Sequence, residues 1–262
     1  MQRANLIMRA NRWENDGSLD LTYSKYRPFL TVRDVASRGR SHRIYSWTSQ
    51  RLHHLFSDLE TKAFYVLDYL KGVDDIREQY PLLPLDETLE IADEQGVKHP
   101  SFGGQLHIMT TDFLITKSSG HLVAIQVKLL EELESSRTNE KLEIEREYWH
   151  RRNIPFQIVT EKEIPSGLAK SVSWIHQYID GAGIKAGEMD IHDYALTLVD
   201  WLNEYRETAL AKACQWADER YKLSKGTSLS VARYALARRM LRVTIINGVN
   251  TLKPLTWLDE AQ

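Results

Sequence analysis

Apolar and polar residues alternate along the first two thirds of the chain in helix-like and strand-like stretches. Residues 1–24 are polar and are expected to form a loose arm. A helical period then runs from Ser57, a good N-cap, to Gly72, which ends it. Glu60 lies three positions after Ser57, as in a capping box. Further strands and helices follow in turn, which predicts an α/β sheet domain over residues 25–165.

A β-hairpin is predicted where two apolar strands, 109–116 and 121–128, flank the polar turn K-S-S-G. Side chains alternate across a strand, so Gln126 and Lys128 share one face. The turn brings Asp112, on the first strand, close to the level of both residues. A carboxylate in a half-buried strand is costly unless it is paired or binds a metal. This part of the hairpin is therefore a candidate for chemistry.

The pattern of apolar and polar residues becomes mainly helical beyond the glycine-containing segment 181–187. Three helical stretches followed by a hairpin are typical of a winged helix, a small DNA- or protein-binding module. The helical stretches are residues 191–205, 207–222 and 228–240, and the hairpin has an N-G turn at 247–248. A plain helical bundle with a β tail remains the alternative. We therefore predict one domain over residues 1–167 and a second, winged-helix-like domain over residues 168–262.

Composition and charge narrow the function classes. With 42% hydrophobic residues the chain is typical of globular proteins, and its net charge of −2 shows no overall basic excess. Residues 1–53 nevertheless hold ten Lys/Arg and four Asp/Glu, whereas residues 54–98 hold four Lys/Arg and eleven Asp/Glu. The lone cysteine, Cys214, excludes an internal disulfide and a thiolate metal cluster. No apolar run of transmembrane length and no signal peptide is present, so a cytoplasmic protein is expected.

The residue types near the hairpin suit metal-dependent hydrolysis of a phosphodiester. That reaction needs hard oxygen ligands for Mg²⁺, an activated water and a cation beside the phosphate. Asp112 offers a carboxylate, Gln126 an amide oxygen and Lys128 the cation. Glu60, on the preceding helix, completes the carboxylate set. The structural alternative is a cross-strand Asp112–Lys128 ion pair with a snorkelling lysine, and a capping-box role for Glu60.

Six stretches in this order resemble the TnsA family, the endonuclease subunits of heteromeric transposases, which have a restriction-endonuclease-like core. They are S-R-G-R-S-H-R-I-Y-S (37–46), H-H-L-F-S-D-L-E (53–60), D-I-R-E-Q-Y-P-L (75–82), T-T-D-F-L (110–114), A-I-Q-V-K (124–128) and E-R-E-Y-W (145–149). The resemblance covers residues 27–165, and it extends to the remainder only in layout, a winged-helix-like C-terminal domain.

The resemblance implies an activity, a cofactor and partners. The family cuts at the 5′ ends of a transposon, while a separate integrase-like transposase subunit cuts and joins the 3′ ends. The C-terminal domain is expected to contact an ATP-dependent transposition regulator. Mg²⁺ is the expected cofactor, with Mn²⁺ as a substitute. The family's catalytic residues fall on Glu60, Asp112, Gln126 and Lys128, of which the first three are the expected metal ligands.

A basic patch before the active-site helix is expected to contact transposon-end DNA, because arginine suits bidentate phosphate binding. Its members are Arg38, Arg40, His42, Arg43 and His53. His53 is also expected to begin the active-site helix together with His54. In the C-terminal domain, residues 228–243 carry arginines and no acids. They could touch DNA or an acidic partner, or only solvent.

Overall fold

The computed structural model describes residues 4–34, 40–102 and 105–258. The contacts divide the chain into two compact units, Met1–Ile164 and Pro165–Gln262. The helix that opens the second unit, α5, spans Ser166–Ile175. A boundary after residue 167 would therefore fall within the first turn of α5.

A four-stranded mixed sheet forms the centre of the first unit. Its strands are β3 (Val73–Pro81), β6 (Thr110–Lys117), β7 (Leu122–Val127) and β8 (Phe156–Val159). Two small hairpins are β1 (His42–Tyr45) with β2 (Leu52–Leu55), and β4 (Ser101–Phe102) with β5 (Gln105–Leu106). The sheet order is β3–β6–β7–β8, antiparallel except for the parallel pair β7–β8. The predicted α/β class and the hairpin of β6 and β7 are confirmed.

Helices cover this sheet and supply its core. They are α2 (Asp58–Tyr69), α3 (Leu85–Glu94) and α4 (Ser136–His150), the last of which connects β7 to the parallel strand β8. Ile91 of α3 and Trp149 of α4 are buried in one cluster with Leu114 and Ala124 of the sheet. Strands covered in this way are apolar along most of their length, which explains the hydrophobic runs of β6 and β7.

The N-terminal segment is not a loose arm, so that prediction is wrong. Residues Ala4–Asn15 form helix α1. It buries Trp13 against the rings of Tyr26 and Phe29, with centroid distances of 6.1 and 5.6 Å. Ala10, one turn before Trp13, is buried on the same face. About one buried apolar residue per turn is enough to hold this helix against the domain. The prediction failed because most residues of the segment are polar.

The two histidines expected to begin the active-site helix lie instead in strand β2, which pairs with β1. A buried charge network holds this strand against β3. The guanidinium of Arg51 donates to Glu78 at 2.9 Å, and His53 Nδ1 lies 3.0 Å from the same carboxylate. Burial alone would raise the pKa of Glu78, but His53 and Arg51 more than offset this and hold that pKa well below its usual range.

Helix α2 begins where the sequence predicts. Ser57 is its N-cap and accepts a hydrogen bond from the N–H of Glu60 at 3.0 Å. The carboxylate of Glu60 accepts the N–H of Phe56 at 3.0 Å, one residue further back than in a standard capping box. The helix ends at Tyr69, shortly before Gly72, whose φ of 91° suits a glycine.

The second unit confirms the three predicted helices, but not a winged helix. They are α6 (Ile191–Glu204), α7 (Leu210–Arg220) and α8 (Thr227–Ala237), followed by strands β9 (Val243–Thr244) and β10 (Thr256–Trp257). Helix α8 has seven of its eleven residues buried, and its Arg233 stacks on Trp174 at 4.3 Å. The two strands that follow it pair over only two residues each. None of the helices in the described ranges of either unit is long and apolar enough to cross a membrane.

The tight hairpin predicted at Asn247–Gly248 is wrong. Strands β9 and β10 do pair, but residues 245–255 form a long connection between them. This connection packs on helix α5, where the hydroxyl of Ser171 donates to the carbonyl of Ile245 and accepts the N–H of Val249, at 3.0 and 2.9 Å. Tertiary hydrogen bonds of this kind override the local preference of an N-G pair for a two-residue turn.

Candidate active site

The predicted site residues meet where strands β6 and β7 part. The ladder between the strands ends at the pair Phe113–Ile125. One step further on, the N–H of Asp112 donates to Gln126 Oε1 at 3.0 Å, and the N–H of Val127 donates to Asp112 Oδ2 at 2.8 Å. These two bonds satisfy N–H groups that the opened ladder would leave unpaired, and they orient both side chains.

Glu60 lies in the first turn of α2, where its charge interacts with those of Asp112 and Lys128. The residue is only 8% exposed. Burial raises the pKa of Glu60 to about 8, and the nearby charge of Asp112 adds to the rise. The N–H of Phe56 and the side chains of Ser57 and Lys128 lower that pKa only in part. Burial and the charge of Asp112 therefore disfavour the ionised form of Glu60 more than its donors and Lys128 favour it.

Asp112 and Lys128 form a loose pair at the end of the two strands. Lys128 Nζ lies 3.9 Å from Asp112 Oδ2 and donates to the carbonyl of Val127 at 3.2 Å. Burial raises the pKa of Asp112, while Lys128 and the N–H of Val127 oppose the rise. Burial alone would lower the pKa of Lys128. The surrounding carboxyl groups, of which Asp112 has the largest effect, outweigh burial and raise this pKa, so the ammonium group stays charged.

The donor set fits a hard divalent cation. Glu60 and Asp112 offer carboxylate oxygens, and Gln126 offers an amide oxygen, which are ligand types that Mg²⁺ accepts. Oε1 of Gln126 already accepts one N–H, but an amide oxygen has a second lone pair. Among the residues that the structure describes, no three His, Cys, Asp or Glu side chains group as a metal site. A cation here would favour the ionised forms of both carboxyl groups, whose pKa values are raised chiefly by burial.

A third buried carboxyl, Glu145 of α4, escaped the sequence analysis. It accepts the hydroxyl of Thr111 at 2.5 Å, and that hydroxyl in turn accepts the indole N–H of Trp149 at 2.8 Å. Burial raises the pKa of Glu145 to about 8, and the charge of Asp112 contributes. A signal was present, because Leu142 and Trp149 lie three positions before and four after Glu145, which puts this acid in the apolar stripe of α4.

Two residues of the predicted DNA-binding patch share one acid beside the site. Arg40 donates to Asp58 Oδ2 at 2.7 Å, and His42 Nε2 lies 2.8 Å from Asp58 Oδ1. Asp58 is the first residue of α2, two positions before Glu60. Arg43, on β1, is exposed to solvent. Arg40 is also exposed, whereas His42 is half-buried.

Two members of the predicted patch remain, Arg38 and His53. Arg38 lies outside the described residues. His53 is fully buried, with Glu78 on one side and the ring of Phe64 at 4.8 Å on the other. The expectation that His53 contacts DNA is therefore wrong. Side chains alternate across β2, and that of His53 points into the core.

Comparison with known proteins decides the family. The model described as TnsA-like endonuclease N terminal matches residues 71–161, and the model described as TnsA endonuclease C terminal matches residues 163–245. The chain is 40% identical over 232 residues to the transposon Tn7 transposition protein TnsA of Escherichia coli, which covers 87% of this chain and 82% of that protein. The chain belongs to the TnsA family. It is an endonuclease subunit of a transposition system.

The two family matches can be compared with the positions of the predicted site residues in this TnsA-family protein. Asp112, Gln126 and Lys128 lie within the N-terminal match, whereas Glu60 precedes it. The C-terminal match begins at residue 163, next to the division between the two compact units. Three of the four predicted site residues thus belong to the segment that characterises the endonuclease family.

Proposed function

We propose that this protein is the Mg²⁺-dependent subunit that cleaves the 5′ ends of a transposon during cut-and-paste transposition. The observation that carries the proposal is the convergence of Glu60, Asp112, Gln126 and Lys128 where β6 and β7 part. A purely structural Asp–Lys pair would neutralise itself. Here burial leaves the pKa values of both Glu60 and Asp112 raised despite Lys128, and a bound cation would favour their ionised forms.

Each side chain has a role in this proposal. Glu60, Asp112 and Gln126 hold the metal ion, with Mn²⁺ as a substitute for Mg²⁺. When bound, the ion supplies an activated water and polarises the phosphate. Lys128 is charged and its side chain is 25% exposed, so it is placed to contact a phosphate oxygen and stabilise the negative charge that develops there.

The DNA partner is the transposon end, held beside α2. Arg40 and His42 exchange the carboxylate of Asp58 for phosphate oxygens as DNA binds, and Arg43 adds a further guanidinium. These contacts carry no base readout, so they position the strand without selecting its sequence.

The protein partners follow from the family. The Escherichia coli relative is named as a Tn7 transposition protein. We extend this to an integrase-like transposase subunit that processes the 3′ ends and to an ATP-dependent regulator that binds the C-terminal unit. A neutral amide at Gln126 in place of a third acid weakens metal binding, which suits a nuclease that is silent until these partners assemble.

Strand-specific cleavage tests this proposal. Transposon-end DNA labelled separately on each strand is incubated with the protein alone and with transposase and regulator, in Mg²⁺ and in EDTA. We expect cuts at the 5′ ends only in the complete mixture and only with the metal. Strong cutting by the protein alone would indicate a free-standing nuclease, and cutting in EDTA would contradict the metal site.

A further inference from the structure

Strand β3 contains one residue whose backbone departs from strand geometry. Gln79 has a φ of 50°, in the left-handed region that residues with a Cβ rarely adopt. Of the non-glycine residues with positive φ in the described ranges, only Gln79 lies inside a strand. Its side chain is also buried, although glutamines are mostly exposed. Strain together with burial of a polar side chain marks a position with a specific task.

The unusual backbone places Gln79 opposite Asp112. Pairing between β3 and β6 continues on either side of this position, at Glu78–Phe113 and Tyr80–Thr111. Gln79 and Asp112 therefore face each other in register without forming a ladder pair. The carbonyl of Gln79 turns away and accepts the N–H of Phe29 at 3.3 Å. The amide side chain is left to make the contact across the strands.

Two hydrogen bonds fix the orientation of that amide. The hydroxyl of Thr110 donates to Gln79 Oε1 at 3.1 Å, which defines the side on which the oxygen lies. Nε2 consequently faces the carboxylate and donates to Asp112 Oδ1 at 3.4 Å. The other carboxylate oxygen, Oδ2, accepts the N–H of Val127 at 2.8 Å. The carboxylate of Asp112 is thus held through both of its oxygens.

We infer that Gln79 is a positioning residue for the metal-binding carboxylate of Asp112, an inference that rests on the proposed function. A carboxylate held through one oxygen alone rotates broadly about its last torsion. The donor on Oδ1 fixes the plane of the group, so the lone pairs left free on the carboxylate would keep one direction towards a cation that Asp112 and Glu60 would hold. Removing groups that orient metal ligands typically weakens metal binding by about 10–100-fold.

Binding of Mn²⁺ to the full-length protein, measured by electron paramagnetic resonance of the free ion, tests the inference without requiring cleavage. Gln79→Gly removes the amide, while glycine adopts the same backbone conformation without strain. We expect its Kd for Mn²⁺ to rise by about 10-fold or more, with cooperative thermal unfolding retained. The matched control is Gln50→Gly, because Gln50 has a φ of 54° but lies exposed in the turn before β2. Its Kd should equal that of the wild type.

Thr110→Val provides a second variant that leaves Gln79 and its backbone in place. It removes the hydroxyl that orients the amide, so its Kd should rise in the same direction. If both variants bind Mn²⁺ like the wild type while Asp112→Ala does not bind, the positioning role is wrong and the metal site stands. If Asp112→Ala also binds like the wild type, the metal site itself is wrong and the inference fails with it.

Discussion

Two lysines end strands of the same hairpin, and only one lies beside acids. Lys128 follows β7 and is 3.9 Å from Asp112, whereas Lys117 ends β6 at the turn and is exposed. We expect Lys128→Ala to lower the rate of 5′ cleavage by about 10²-fold or more, because it removes the cation beside the phosphate. Lys117→Ala should leave the rate unchanged. Single-turnover cleavage of end-labelled DNA measures the rates of both variants. Near wild-type cutting by Lys128→Ala would show that Lys128 is not part of the active site.

The buried acid of the β2–β3 network predicts how stability depends on pH. The pKa of Glu78 is lowered in the folded protein, whereas an unfolded glutamate has a pKa of about 4.3. Its stabilising contribution is therefore complete above the unfolded pKa and is lost as the pH falls below it. We expect Glu78→Gln to cost about 3–5 kcal/mol at pH 7, because Arg51 remains buried without its partner.

Urea unfolding followed between pH 3 and pH 7 measures this effect. The free energy of unfolding of the wild type should fall on acidification below about pH 4.5, and that of Glu78→Gln should fall less steeply. Equal slopes for the two proteins would mean that Glu78 is not held ionised by Arg51 and His53.

Residue roles differ in how far the sequence could predict them. Strand alternation and the turn were enough to bring Asp112, Gln126 and Lys128 together, because these contacts depend on one local hairpin. The burial of His53 depends on Glu78, which is distant in sequence and reaches it only through strand pairing. Gln79 was hidden for a related reason, since a positive φ inside a strand leaves no signature in apolar periodicity.

At the scale of elements, one glycine explains why the C-terminal connection packs as it does. A Cβ at Gly167 of α5 would lie 2.5 Å from the carbonyl oxygen of Ile246 and 2.6 Å from the backbone of Asn247. Backbone atoms cannot swing aside, so Gly167→Ala should destabilise the C-terminal unit by about 1–3 kcal/mol, less what alanine gains in helix propensity. Thermal unfolding measures the shift, with exposed Lys170→Ala on the same helix as the control. An unchanged or higher Tm for Gly167→Ala would show that the connection is not closely packed.

Elements followed the sequence where local signals and tertiary contacts agree. Ser57 predicted the start of α2, and two apolar runs joined by a glycine-containing turn predicted β6 and β7. Helix α1 was not predicted because only a few apolar residues, Trp13 among them, form its buried face and most of their neighbours in sequence are polar. The N-G turn was wrong because Ser171 and α5 bind the connection, and no local pattern records such contacts.

At the scale of the whole molecule, the two compact units match the two parts of the endonuclease family. The predicted catalytic residues all lie in the first unit, so loss of one carboxylate there should stop cleavage without unfolding the second unit. The 3′ ends are processed by a different subunit in the proposed assembly. Removing 5′ cleavage should therefore change the products of transposition from cut-and-paste to copied, joined forms.

The most direct measurement is strand-specific cleavage by Asp112→Ala in the complete mixture with Mg²⁺, transposase and regulator. Asp200→Ala, which changes an exposed acid of α6, is the matched control. The account predicts that Asp112→Ala loses the 5′ cuts while 3′ cutting and joining continue, and that Asp200→Ala behaves like the wild type. Full 5′ cutting by a folded Asp112→Ala protein would contradict the account, because the site where β6 and β7 part would then not be the nuclease.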